Sequence, residues 1–228
     1  MAAPLSRPGG GRFVTFEGGE GAGKSTQIKL LAERLEAFGL RTVVTREPGG
    51  SPGAEIMRHL VLSGMGKLLG SATESLLFAA ARADHVKLVI RPALEQGMWV
   101  LCDRFADSTR AYQGYAGQVE TQFLDALERV TIGDLKPDLT IVLDLPVETG
   151  MRRAAERRGK GAPDRFEGEA VEFHQKLRDA YRQIAEREPE RCALIDAESE
   201  PSVVAGRVLK VLHDRLLSPS APAEAIRA

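Results

Sequence analysis

Gly18, Gly23, Lys24 and Ser25 stand at the spacing G-x-x-x-x-G-K-S inside the run FEGGEGAGKST at 16–26. Glycines so placed let backbone N–H groups turn inward onto phosphate oxygens. A helix opening behind them adds partial positive charge, and the lysine reaches the outer phosphates. The Ser25 hydroxyl is of the type that binds Mg²⁺ beside a triphosphate. A plain glycine turn before an amphipathic helix would not need lysine followed by a hydroxyl at that spot. The loop therefore implies a nucleoside triphosphate, but not what is done with it.

The residues that decide this lie further along. Arg46 ends the apolar run RTVVTRE and precedes Pro-Gly-Gly, so its guanidinium can hold a second phosphate group; the alternative is a surface arginine beside a turn. Asp103 and Arg104, in CDRF, fall at the end of another apolar run. Asp103 is a candidate to order Mg²⁺ or its waters and Arg104 to bind an acceptor phosphate, unless the two form an ion pair that merely caps the strand. Phe78 and Arg82 are four apart and share a helix face, so a ring and a guanidinium could together stack on a base and bond its edge, although plain core is the commoner fate of such a phenylalanine. One strongly basic segment, MRRAAERRGKGAPDR at 151–165, reads as a lid with glycine hinges at 159 and 161, against the alternative of a solvated charged helix.

These residues need a frame. The apolar runs at 12–17, 41–47, 98–103, 138–145 and 192–197 alternate with stretches of helical spacing, the pattern of a parallel sheet covered by helices. We expect a three-layer α/β sandwich of the P-loop NTPase type, with a five-stranded parallel sheet and helices on both faces. Helices are expected at 24–38, 72–96 with a break before Pro92, 119–131, 168–187 and 201–217. The Pro-, Ala-, Gly- and Ser-rich ends, 1–11 and 218–228, read as tails that cannot repay the entropy of ordering. One domain at 12–217 remains, with its lid at about 148–166.

Composition narrows the partners. The 228 residues carry a net charge of −1, so no global field draws the chain onto a nucleic-acid polymer or an anionic membrane. No apolar run approaches the roughly 18 residues of a membrane span, and the first residues lack the features of a signal peptide, which implies a cytoplasmic protein. Cys102 and Cys192 sit in apolar runs without metal-ligand spacing and read as buried reduced thiols. The four histidines show no such spacing either, and an acceptor phosphate already ionised at pH 7 needs no histidine base.

Taken in order, FEGGEGAGKST, TREPGG, LLFAAARADH, DRFADSTRAYQG, KPDLTIVLDL and DRFE resemble the thymidylate kinase family over nearly the whole trimmed domain. The resemblance implies transfer of the γ-phosphoryl group of ATP to dTMP, with Mg²⁺ accompanying ATP and a homodimeric assembly. It implies an ATP site at Gly18, Gly19, Glu20, Gly21, Ala22, Gly23, Lys24, Ser25 and Thr26. It places Phe78 on thymine, Arg82 at the base, Ser108 and Gln113 near the pyrimidine edge, Tyr112 under the sugar, and Arg46 and Arg104 on the acceptor phosphate. Glu20 would contact the sugar 3′-hydroxyl, and LIDAES at 194–199 would lie near adenine.

Some family members carry an arginine directly after the loop acid, where this chain has Gly21. Charge developing in phosphoryl transfer requires a preorganised cation, which the resemblance to members lacking the loop arginine assigns to the lid. Arg158 is the best positional match, Arg153 the second, and Arg157 remains open. Two other readings stay in view: a P-loop kinase for another nucleoside monophosphate, and a nucleotide-binding switch or ATPase without acceptor. Against the second stand Arg46, Phe78, Arg82 and Arg104, which furnish a second site, and the lack of an N-K-x-D motif.

Overall fold

The computed structural model describes residues 10–63, 68–159 and 165–217. Five parallel strands, β1 (Phe13–Gly18), β2 (Thr42–Arg46), β3 (Trp99–Asp103), β4 (Leu139–Asp144) and β5 (Cys192–Asp196), form one sheet in the order β2-β3-β1-β4-β5. Four fall within their expected runs, and β1 extends one residue beyond its run, to Gly18. The central strands are buried on both faces, which is why they read as apolar runs without alternation. The chain leaves β1 toward one edge and later returns to the other side of it. The resulting crevice opens at the carboxyl ends of β1 and β3, the usual ligand position in such sheets.

Helices cover both faces. Helix α1 (Lys24–Ala37) and the last helix, α9 (Pro201–Leu216), pack Leu31, Leu35, Val208 and Leu212 on Val14, Phe16, Ile141 and Leu143. The opposite face carries two apolar clusters. Phe13, Val100 and Cys102 meet Ile90 and Leu94, and Val142 meets Leu177 and Tyr181 from α8 (Val171–Arg187). Each such fully buried Leu, Ile or Phe side chain contributes about 1.5–3 kcal/mol. Strand β1 thus sends Val14 and Phe16 to one layer and alternate residues to the other.

Three expectations change. The expected break before Pro92 is not an interruption: α3 (Gly70–His85) passes through a π-helical turn, Val86–Ile90, directly into α4 (Arg91–Glu95), whose second residue is Pro92. Helix α2 (Pro52–Leu62), also opened by proline, was not anticipated, nor was the pair formed by α5 (Ala106–Thr109) and a second π-helical segment, Arg110–Ala116, ahead of α6 (Thr121–Thr131). The first half of the lid is regular helix, α7 (Val147–Arg158), ending at Gly159 with φ 60°. Of the expected tails, 1–9 and 218–228 lie outside the described residues, as do Gly161 and the rest of 160–164. Gly11, counted with the tail in the sequence, is buried against Leu94 and Met98. Both cysteines are buried free thiols, and no helix among the described residues is long and apolar enough to cross a membrane.

Candidate active site

The glycine-rich loop joins β1 to α1. Gly18, Gly21 and Gly23 hold positive φ angles of 134°, 66° and 92°, which an L side chain resists, and Gly23 caps the helix. Lys24 is buried and its Nζ donates to the carbonyls of Gly18 (3.1 Å) and Gly19 (3.0 Å). Burial, with help from neighbouring Arg104, pulls the ammonium below its ordinary pKa. Gly21 lies directly against Gly150 of α7: a Cβ on Gly21 would overlap the Gly150 carbonyl, and one on Gly150 would overlap the Glu20 carbonyl.

Ser25 Oγ donates to Asp103 Oδ2 at 2.8 Å, so the two expected metal residues are neighbours. A hydroxyl and a carboxylate are hard oxygen donors suited to Mg²⁺, which keeps several waters and takes only one or two protein ligands. Among the described residues no group of three or more His, Cys, Asp or Glu gathers to hold a metal by itself. The donor set fits an ion that arrives with phosphate.

Arg104 organises the other side. Its φ of 69° is left-handed, rare for a residue with a Cβ, and this turn swings the guanidinium back beneath the loop. There it donates to Gly18 O (3.2 Å), Ser108 Oγ (3.3 Å), Tyr181 Oη (3.0 Å) and Glu20 Oε1 (2.7 Å). Tyr112 Oη donates to the same Glu20 oxygen at 3.1 Å. Burial works against ionisation of Glu20, but Arg104, Lys24 and the Tyr112 hydroxyl outweigh it and hold the carboxyl at about 2. Within this chain, then, the loop acid faces a cation rather than standing free.

The remaining expected residues are distributed around this centre. Arg82 is buried; its Nε donates to Glu47 Oε2 (2.7 Å) and its Nη2 to Phe105 O and Thr109 Oγ1. Glu47 in turn takes His85 Nδ1 at 3.1 Å, so His85 is a buried link, not a base facing the cleft. Arg46 is exposed and paired with Glu55 at 3.1 Å. Gln113 is buried and donates to Glu74 (3.1 Å). Phe78 lines the cleft.

The lid arginines separate. Arg158 pairs with Glu167 at 2.7 Å and does not line the cleft. Arg153 donates to the carbonyls of Ala197 and Glu198, on the far side of the loop. Arg157, 63% exposed and 3.1 Å from Glu167, is the one that projects along the cleft.

Two cavities meet at the loop. One, of about 380 Å³, is lined by Arg46, Phe78, Arg82, Arg104, Ser108, Tyr112 and Gln113 as well as by the loop. The other, of about 360 Å³, is lined by Ala197, Ser199, Pro201 and Val204. Gly21, Ala22, Gly23, Thr26 and Arg157 belong to both walls. Arg46, Phe78, Arg82, Arg104, Ser108, Tyr112 and Gln113, drawn from three separate stretches of the chain, are thereby brought together. Sequence reasoning missed Glu47 and Glu167, although TREPGG and DRFE contain them, and missed Tyr181, for which no local signal existed.

A family model described as Thymidylate kinase matches residues 16–208. A thymidylate kinase of Bradyrhizobium diazoefficiens is 73% identical over 209 residues, covering 92% of each chain, and one of Nitrobacter winogradskyi is 67% identical over 228 residues, covering 100% of this chain and 99% of its own. The crystal structure of thymidylate kinase from Ehrlichia chaffeensis aligns with a TM-score of 0.72 at 36% identity, over 89% of this chain and 99% of that one. With a P-loop sheet, two cavities joined at the phosphate loop and likeness along nearly its full length, the chain belongs to the thymidylate kinase family, the ATP-dependent kinases of a nucleoside monophosphate.

Proposed function

We propose a division of labour for the reaction of this family, transfer of the γ-phosphoryl group of ATP to dTMP to give dTDP and ADP. The observation that carries it is the pair of cavities sharing one wall of phosphate loop, with an arginine of α7 in both. ATP occupies the loop with its base toward Ala197, Ser199 and Pro201, while Lys24 bears on the outer phosphates. Mg²⁺ belongs beside Ser25 and Asp103, where it would neutralise phosphate charge. In the other cavity Arg104 and Arg46 hold the acceptor phosphate, Phe78 stacks on the base, and Arg82, Ser108 and Gln113 set its edge. Glu20 and Tyr112 face the sugar.

Arg157 supplies the cation for the transfer step, as its position in both walls supports it over Arg158 and Arg153. Catalysis is then mainly positioning and charge stabilisation, with lid closure excluding water. A coupled assay of ADP release across dTMP, dUMP, dCMP and GMP tests the reading: dTMP should give the highest kcat/KM, and a clear preference for another acceptor would overturn it. We place the enzyme in the cytoplasm as a homodimer, for which sedimentation at micromolar concentration should give twice the chain mass.

A further inference from the structure

The alternation of β1 sends Phe13, Thr15 and Glu17 to the face opposite Val14 and Phe16. Thr15 is satisfied by Thr140 (2.7 Å), but Glu17 is a carboxylate with no solvent exposure. Such burial is costly unless each oxygen is occupied. Oε1 accepts from the Phe105 backbone N–H at 2.7 Å, and Oε2 accepts from Ser108 Oγ at 2.6 Å. Both partners belong to the turn that carries Arg104. Phe105 N is the amide just after its left-handed backbone, and Ser108 Oγ in turn receives Arg104 Nη1 and stands 2.9 Å from Tyr181 Oη.

We propose that Glu17 is a positioning residue for the acceptor: it clamps the 104–108 turn so that the Arg104 guanidinium faces the acceptor phosphate. The inference rests on the reading above, in which Arg104 binds that phosphate. An ionised Glu17 can only accept, so it fixes the Ser108 hydroxyl proton toward itself and leaves the Ser108 lone pairs to Arg104 and Tyr181. A protonated Glu17 donates from one oxygen, reverses that hydroxyl and removes the negative charge behind Arg104.

Protonation is within reach, since burial, aided by Asp107, raises the Glu17 carboxyl to about 7 against the pull of Ser108, Arg104 and Phe105 N–H. The other charged or titratable groups that feel it are Lys24 of α1, Cys102 of β3, Tyr112 of the π-helical segment, Tyr181 of α8 and Cys192 of β5. Burial drives the two thiols and two phenols upward, away from neutrality, and Lys24 downward from the ordinary lysine value.

The test compares wild type, Glu17→Gln and Ser108→Ala in steady-state assays with dTMP and ATP varied separately from pH 5.5 to 9. Glu17→Gln should raise the KM for dTMP roughly tenfold while that for ATP stays within about twofold. In wild type, log kcat/KM for dTMP should fall below pH about 7. That ionisation should vanish in Glu17→Gln, leaving the acceptor phosphate's own step near about 6. Ser108→Ala, which removes a bond favouring the ionised form, should move it to higher pH. Equal rises in both KM values, or an unchanged pH profile in Glu17→Gln, would overturn the proposal. Should Glu17→Gln fail to fold by circular dichroism, an unshifted profile in Ser108→Ala overturns it equally. Absence of dTMP phosphorylation by wild type would instead sink the underlying functional reading.

Discussion

The acceptor side of the cleft and the lid edge both present arginines, yet they are built differently. Arg104, 15% exposed, is fixed by a carboxylate of the phosphate loop, a carbonyl of β1 and two hydroxyls, one from α5 and one from α8. Arg157 is 63% exposed and leans on Glu167, a carboxylate it shares with Arg158. The first arrangement is preorganised, with the cost of burying charge met by the fold itself. The second can release its arginine as the lid moves. On the proposed reading, recognition belongs to the rigid half and the transfer charge to the more exposed α7.

The sharpest break in that contrast comes from the lid. Arg157→Ala should lower kcat by about 10³ with the KM for dTMP changed less than about threefold, because the lost interaction belongs to the transition state. Arg158→Ala should lower kcat by less than about tenfold; a coupled ADP assay that ranked the two in reverse would undo the assignment. On the rigid side, Arg104→Ala should lower kcat/KM for dTMP by about 10² to 10³, chiefly through KM. It should also destabilise the fold by about 3 kcal/mol, since it strands a buried Glu20. Calorimetric titration with dTMP and thermal melting measure the two effects separately.

The pH dependence of stability sharpens the same comparison. Glu20 has its carboxyl at about 2 in the fold against 4.5 ordinarily, so its contribution is present above about 4.5 and is lost as pH falls toward 2. Chemical denaturation of Glu20→Gln should show an acid limb shallower by about 3 kcal/mol or less. Glu17 acts with the opposite sign: its raised value favours the fold fully below 4.5 and the benefit is lost as pH rises through about 7. The smallest effect is at the junction of the two regions. Gly21→Ala places a Cβ at φ 66° against the Gly150 carbonyl and should cost about 2 kcal/mol, lowering Tm by roughly 4–8 °C.

Much of this was legible from the chain. The three central strands are buried and read as short apolar runs, and all five strands were found from the length of such runs and their alternation with amphipathic stretches. The π-helical segments were not, since one extra residue per turn leaves no compositional trace, yet the segment 110–116 aims Tyr112 and Gln113 at the cleft. The phosphate loop and the arginines at strand ends announced themselves by spacing. The choice among lid arginines depended on helical phase: Arg153 and Arg157, four apart, share the face toward the second cavity, whereas Arg158 lies about 100° round. Glu17 was passed over because its partners lie 88 and 91 residues away.

The Gly21–Gly150 contact has a consequence for descent. An arginine arriving at position 21 would put its Cβ into space that the first turn of α7 already fills, and so would lose packing. A lineage moving its transfer cation from lid to loop must first draw that helix aside, and a chain caught between would hold neither the packing nor the charge. On the proposed assignment of the transfer cation to α7, a valley separates the two addresses, and the close contact of Gly21 with Gly150 lies on the lid side of it.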